Sequence, residues 1–278
     1  MKLKNILFSL IMLVSMLFIG TANAETTAPS SYVIDGSKLH TIYCSSYLKG
    51  CQYINIQFKK TTDGKIVYCI ERSKAPIGSG TTEKYTLQKE LSSKVAYVME
   101  NGYPNKSIFG NADKDYYTTG LAIWYVINPN DSTFEYFNLA NGTYRGNSSD
   151  IVVEMAKLVN GANSYSYTSP SIKINNSNSN LSLSSDGKYY VSSSMGVKTT
   201  GTVGNYTVSL SNAPEGTIVT DTKGNAKTTF ATNESFLVKV PVSNVKKISN
   251  EFKVNVSAKG TINKAYAYTS TRSNVQNT

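Results

Sequence analysis

Hydrophobic residues in this chain recur at two different periods, and the points where the period changes divide it. Up to residue 72, Ile54, Ile56 and Phe58 alternate with other residues, Asp63-Gly64 supplies a hairpin turn, and "KIVYCIE" alternates again. Alternation places Ile66, Tyr68 and Ile70 on one side of that strand and Val67, Cys69 and Glu71 on the other. Cys69 is therefore expected to face a cleft or a second subdomain while its neighbours fill the core. The period then lengthens: Leu87, Leu91, Val95 and Val98 stand at helical spacing and stop at Gly102 and Pro104. Tyr117, Leu121, Trp124 and Tyr125 predict a second helix, begun near Asp113 and closed before Pro129. Ile151, Met155, Leu158 and Val159 predict a third, with Asp150 at its start and Gly161 just past its end.

From residue 170 helical spacing disappears. "NNSNSNLSLSSDG" reads as a polar spacer, and short alternating strands follow around Tyr206, Val208 and Leu210, then Phe236 to Val242, Phe252 to Val256, and Tyr266 to Tyr268. Asp186-Gly187 and Gly224-Asn225 mark turns between strands. The expected fold class is α+β: a β-hairpin and helical part over residues 25–169 and an antiparallel β-sandwich or barrel over 170–278.

The opening "MKLKNILFSLIMLVSMLFIGTANA" has basic Lys2 and Lys4, an apolar run and a small-residue Ala22-Asn23-Ala24 end, the pattern of a cleaved signal peptide over residues 1–24. Its removal leaves about 250 residues, room for one large or two medium domains. No second apolar segment approaches the length of a membrane span, and no wall anchor is visible up to Thr278. The expectation is a secreted or cell-surface protein.

Net charge is +10, or +8 without Lys2 and Lys4, but the lysines are scattered, and no basic stripe or nucleic-acid module appears. One histidine and three cysteines lack the paired ligand spacing of a zinc site, and no phosphate-binding glycine loop is present. No metal or other cofactor is expected. A cysteine hydrolase needs a base near its thiol, and His40 is the sole histidine to supply it. Export permits disulfides, and Cys44 and Cys51 flank a turn-like "SSYLKG". Their pairing leaves Cys69 odd: an intermolecular bond, a reactive thiol or a small buried hydrophobe.

Three stretches together give Cys69 a partner. "VYCIE" resembles the aromatic-Cys-aliphatic motif of the thioester domains of Gram-positive surface adhesins; "TTGLAIWYVIN", following "NGYPN", resembles their Thr-Gln-x-Ala-aliphatic-Trp helix; "NVQNT" is similar to the start of their aliphatic-Gln-x-x-aliphatic-aliphatic motif. The resemblance spans nearly all of the exported chain. It implies a thioester between Cys69 and Gln276, with Thr119, Gly120, Ala122 and Trp124 on a helix near the site. Glu71 shares the expected Cys69 strand face and Tyr68 is adjacent in sequence, which makes both candidate neighbours. Gln52, Gln57 and Gln88, the other glutamines, do not match the acyl-donor position. Two departures stand out: Gly120 occupies the motif's glutamine position, and the sequence stops at Thr278 before the third motif's aliphatic pair. The implied function is a single-turnover covalent binder rather than an enzyme. Its partner would be a host surface or extracellular-matrix protein with an accessible lysine. The alternatives are a degenerate module that adheres without the bond, or a structural stalk.

Overall fold

The computed structural model describes residues 17–24, 28–175, 181–247 and 252–278. The expected leader's residues 1–16, including Lys2 and Lys4, and residues 176–180 of the polar spacer lie outside them. The chain forms two compact units: a helical unit of Thr26–Tyr167 with Asn263–Thr278, and a β unit of Met1–Glu25 with Thr168–Ile262. The β unit is thus inserted in the sequence of the helical one. Residues 263–278, expected with the β-rich segment, belong to the helical unit. The reason is hydrogen bonding: the strand Tyr266–Ser270 pairs with Thr82–Glu90, and Tyr268 exchanges backbone bonds with Thr278 at 2.6 and 3.0 Å.

The β unit has two four-stranded sheets. One orders Leu17–Ala24, Lys253–Thr261, Thr202–Ser211 and Thr229–Phe230; the other orders Leu181–Leu183, Tyr189–Ser192, Phe236–Pro241 and Ile218–Asp221. Leu17–Ala24, from the expected leader, runs parallel to Lys253–Thr261, while the remaining pairings in these sheets are antiparallel. Alternating residues of both sheets, among them Tyr206, Val208, Phe236, Val238, Val254 and Val256, enter one core, as in a sandwich. The sheets form no closed barrel among the described residues.

In the helical unit, α1 (Ser93–Asn101), α2 (Ala112–Ile127) and α3 (Asp150–Asn163) pack against one another. The first expected helix is corrected at its front. Leu87 lies in the strand Thr82–Glu90, flanked by Ser31–Asp35 and Tyr266–Ser270, and is 39% exposed. Pairing on both edges outweighs the local helical spacing, and the helix starts only at the Ser92 cap. α3 is longer than expected, with Gly161 inside it. A Cβ there would lie 2.2 Å from the Tyr97 hydroxyl of α1, so glycine lets the two helices approach. α2 begins at the Asn111 cap, whose side chain accepts from Lys114 N at 2.9 Å, and ends at Ile127 as expected before Pro129.

The Asp63-Gly64 hairpin forms as read. Ile56–Lys60 pairs with Ile66–Val67, with Lys59 opposite Val67, and Gly64 takes a φ of +86° in the turn. Cys44 and Cys51 form a disulfide, not across a hairpin but across a helical turn opened by Cys44–Ser46.

The loop after α1 is tied to α2 by contact with a small residue. A Cβ on Gly102 would fall 2.6 Å from the Thr119 side chain and 2.8 Å from the Val98 carbonyl. Gly102→Ala is expected to destabilise the protein by about 1–3 kcal/mol, as overpacking does. A denaturant-unfolding midpoint equal to that of the wild type would contradict this.

Candidate functional site

Cys69 lies two residues past the end of the short strand Ile66–Val67 and is 4% exposed, within the helical unit's main core. It faces the interior of its own unit, not a second subdomain. α2 holds this stretch from one side. Trp124 Nε1 donates to the Cys69 carbonyl at 2.6 Å, and the Tyr116 hydroxyl donates to the Val67 carbonyl at 2.6 Å. The Tyr116 ring stacks between Phe58 and Tyr68, with centroids 4.3 and 4.4 Å apart. Tyr68 donates its hydroxyl to the Tyr103 carbonyl at 2.6 Å, and Tyr103 N donates to Thr119 Oγ1 at 3.0 Å. Gly120 lies under this stack: a Cβ there would meet Ile56 Cδ1 at 3.3 Å and Tyr68 Cδ1 at 3.6 Å. Ala122 is fully buried on the same helix. Thr119, Gly120 and Trp124 therefore position the cysteine-bearing segment through the Tyr68 region and the Cys69 backbone.

The terminal segment closes the other side. Ile70 N donates to the Asn277 carbonyl at 3.0 Å, Gln276 N to Ala75 at 3.0 Å, and Ala75 N to Asn274 at 3.2 Å, with Ala75 and Val275 in a parallel bridge. These bonds place Gln276, 8% exposed, so that its Oε1 accepts from Cys69 Sγ at 2.8 Å across 207 residues of sequence. A freely fraying tail residue would be exposed. Glu71 Oε2 accepts from Asn277 N at 3.5 Å and pairs with Lys74 at 3.1 Å, so it supports the terminal backbone from beside the cysteine.

Just before Gln276 the segment is anchored a second time. Glu83 accepts from Thr271 Oγ1 at 3.1 Å and Arg272 Nε at 2.7 Å, and is bonded to Ser270 Oγ. Burial works to raise the Glu83 pKa, but the Ser270 and Thr271 hydroxyls and the Arg272 charge outweigh it, and the carboxyl titrates below its ordinary value of 4.5.

One residue of the site was absent from the sequence reading. Lys59 is 0% exposed, and its Nζ donates to the same Gln276 Oε1 at 3.4 Å. A signal existed: the hairpin register sets Lys59 opposite Val67, two residues before Cys69. Burial also pushes the phenols of Tyr32, Tyr68, Tyr85 and Tyr116 well above the ordinary tyrosine value, so they are neutral hydroxyls at physiological pH. His40 is engaged elsewhere: its Nε2 lies 2.9 Å from Asp113 Oδ1, and its ring stacks on Phe58. Among the described residues no group of three or more histidine, cysteine or acidic side chains is arranged to hold a metal ion, and no helix is long and apolar enough to cross a membrane.

The sequence from Ile66 to Ser164, which holds Cys69 and the α2 motif, matches the family model of the thioester domain. The match covers about a third of the chain. Solved structures share the fold over more of the chain. The Bacillus anthracis TIE protein superposes over 93% of this chain with a TM-score of 0.58 at 21% identity; the chain spans 45% of that structure's length. The thioester domain of the Enterococcus faecium TIE86 protein superposes over 92% of both chains, with a TM-score of 0.59 at 20% identity. No curated protein matches the chain in sequence.

Two outcomes follow from this geometry. Trp124→Phe leaves the Cys69 carbonyl without its donor and is expected to cost about 1–3 kcal/mol, measured by urea unfolding; an unchanged midpoint would count against the role given to Trp124. Because the folded-state Glu83 pKa is depressed, its contribution is present above the ordinary glutamate value of 4.5 and is lost as pH falls through the lower folded value. Acidification through that window is expected to lower the amide protection factors of residues 275–278, their exchange rates being referred to the intrinsic rate at each pH, and Glu83→Gln to show low protection already at neutral pH.

Proposed function

We propose that Cys69 and Gln276 condense into an internal thioester, and that the domain is the covalent binding head of an exported surface adhesin. The observation that carries this reading is the 2.8 Å contact between Cys69 Sγ and Gln276 Oε1 in a nearly closed interior. The thiol sulfur attacks the side-chain carbonyl carbon of Gln276. The S–C bond forms, the C–N bond breaks, and the thiol proton leaves with the nitrogen as ammonia. Holding the two groups in one folded unit makes the step intramolecular. A lysine amine of a partner then attacks the same carbon; the thiol leaves, recovers a proton, and a stable amide joins the proteins.

The cycle consumes its acyl donor, so each molecule acts once and is a binder rather than a catalyst. Neither step calls on histidine, in keeping with the engagement of His40 by Asp113. The partner class is a host surface or matrix protein presenting a lysine. The leader reading places the domain outside the cell: residues 1–24 are removed as a signal peptide, and the exported protein then lacks the edge strand Leu17–Ala24 that pairs with Lys253–Thr261.

The test is the intact mass of the purified domain with and without methylamine. The expected result is a deficit of one ammonia that methylamine reverses, and that is absent from Cys69→Ala and Gln276→Ala. A full mass together with an alkylatable Cys69 in the folded domain would overturn the proposal and leave a module that binds without the bond.

A further inference from the structure

Resting on the thioester reading, we infer that Lys59 is a catalytic residue of the acyl chemistry, its side-chain ammonium stabilising the charge that develops on Gln276 Oε1. Lys59 is wholly buried, and among the described residues Gln276 Oε1 is the hydrogen-bond partner of its Nζ. It has no carboxylate partner among the described residues' ion pairs, where Lys65, Lys74, Lys114, Lys157, Lys227 and Lys264 each have one. Removing an ammonium from water costs several kcal/mol unless it is paired, and a neutral amide oxygen offsets little of that. The interaction becomes strong only when the oxygen carries charge.

That occurs in both acyl steps. When the Cys69 sulfur adds to the carbonyl carbon, the C=O electron pair moves onto Oε1 and returns as the C–N bond breaks; Lys59 keeps its protons throughout. In the resting geometry Oε1 accepts from two groups, Sγ at 2.8 Å and Nζ at 3.4 Å. Attack removes the first, because the sulfur moves to the carbon and its proton departs with ammonia. Lys59 is then the donor left on the oxyanion. The same holds when an amine opens the thioester. An interaction that is long in the ground state and tightens on a developing charge lowers the barrier rather than deepening the ground state.

The backbone explains the placement. Lys59 is registered opposite Val67, the last residue of its strand, and Cys69 lies two residues further along the chain. Its strand neighbour on the other face, Phe58, stacks on Tyr116, which fixes the strand's rotation.

The experiment compares the wild type, Lys59→Met and Lys59→Arg, following thioester formation and methylamine opening by intact mass over time. Removal of one oxyanion donor typically slows a reaction roughly 100-fold, and a loss of that order is expected in both rates for Lys59→Met, with partial recovery in Lys59→Arg. Near-UV circular dichroism screens each variant for native tyrosine packing. Lys59→Gln, which keeps a neutral N–H donor, replaces the methionine variant if that one does not fold, and is expected to fall between it and the wild type. Folded Lys59 variants that form and open the thioester at wild-type rates would overturn this role and leave the thioester intact. A deficit that methylamine does not reverse, with Cys69 alkylatable, would also overturn it, by showing Lys59 itself acylated. A wild type with no deficit removes the thioester reading and this role together.

Discussion

The backbone bonds between residues 70–75 and 274–277 are the constraint on which the site depends. A side-chain pair separated by 207 residues has no local reason to meet, and closing a loop of that length carries an entropic cost that the side chains alone do not offset. Ile70, Ala75 and Gln276 meet that cost with main-chain hydrogen bonds, and Glu83 adds a charged anchor at Arg272. Cys69 and Gln276 then face each other as a consequence of how two extended segments pair.

The opposite wall follows a different logic. α2 presents aromatic and small residues alternately to the cysteine-bearing segment: Tyr116 stacks and donates, Gly120 leaves room for Tyr68, and Trp124 takes the Cys69 carbonyl. Burial keeps these phenols protonated, so each remains a hydrogen-bond donor. The glutamine position of the family's helix motif, filled here by Gly120, borders packing against Ile56 and Tyr68 in this chain. Its departure from the motif alters the wall beside the cysteine and leaves the contact between Cys69 and Gln276 untouched.

Much of this was legible in the residues. Alternation gave the hairpin around Asp63-Gly64, helical spacing gave α2 and α3, and three short motifs pointed to Cys69, Gln276 and the Trp124 helix. What the residues concealed was set by partners distant in sequence. Leu87 and Leu91 stand at helical spacing with Val95, yet residues 82–90 are claimed as a central strand by two edges. The strand at Tyr266 reads like the sandwich strands before it, but Thr82–Glu90 and Thr278 recruit it to the helical unit. Lys59 looked like one basic residue among many because its burial depends on a terminal segment that no local pattern connects to it.

The position of Gln276 also governs where mechanical load would travel. Under the proposed chemistry the partner is tethered to Gln276 itself, and the bond to Cys69 is released in the same event. In a chain that continues past Thr278 towards an anchor, tension between partner and anchor would cross only the few peptide bonds from Gln276 onward. The inserted β unit is not on that covalent path, so tension would fall first on residues 276–278 and on the backbone bonds that tie them to Ile70, Ala75 and Tyr268.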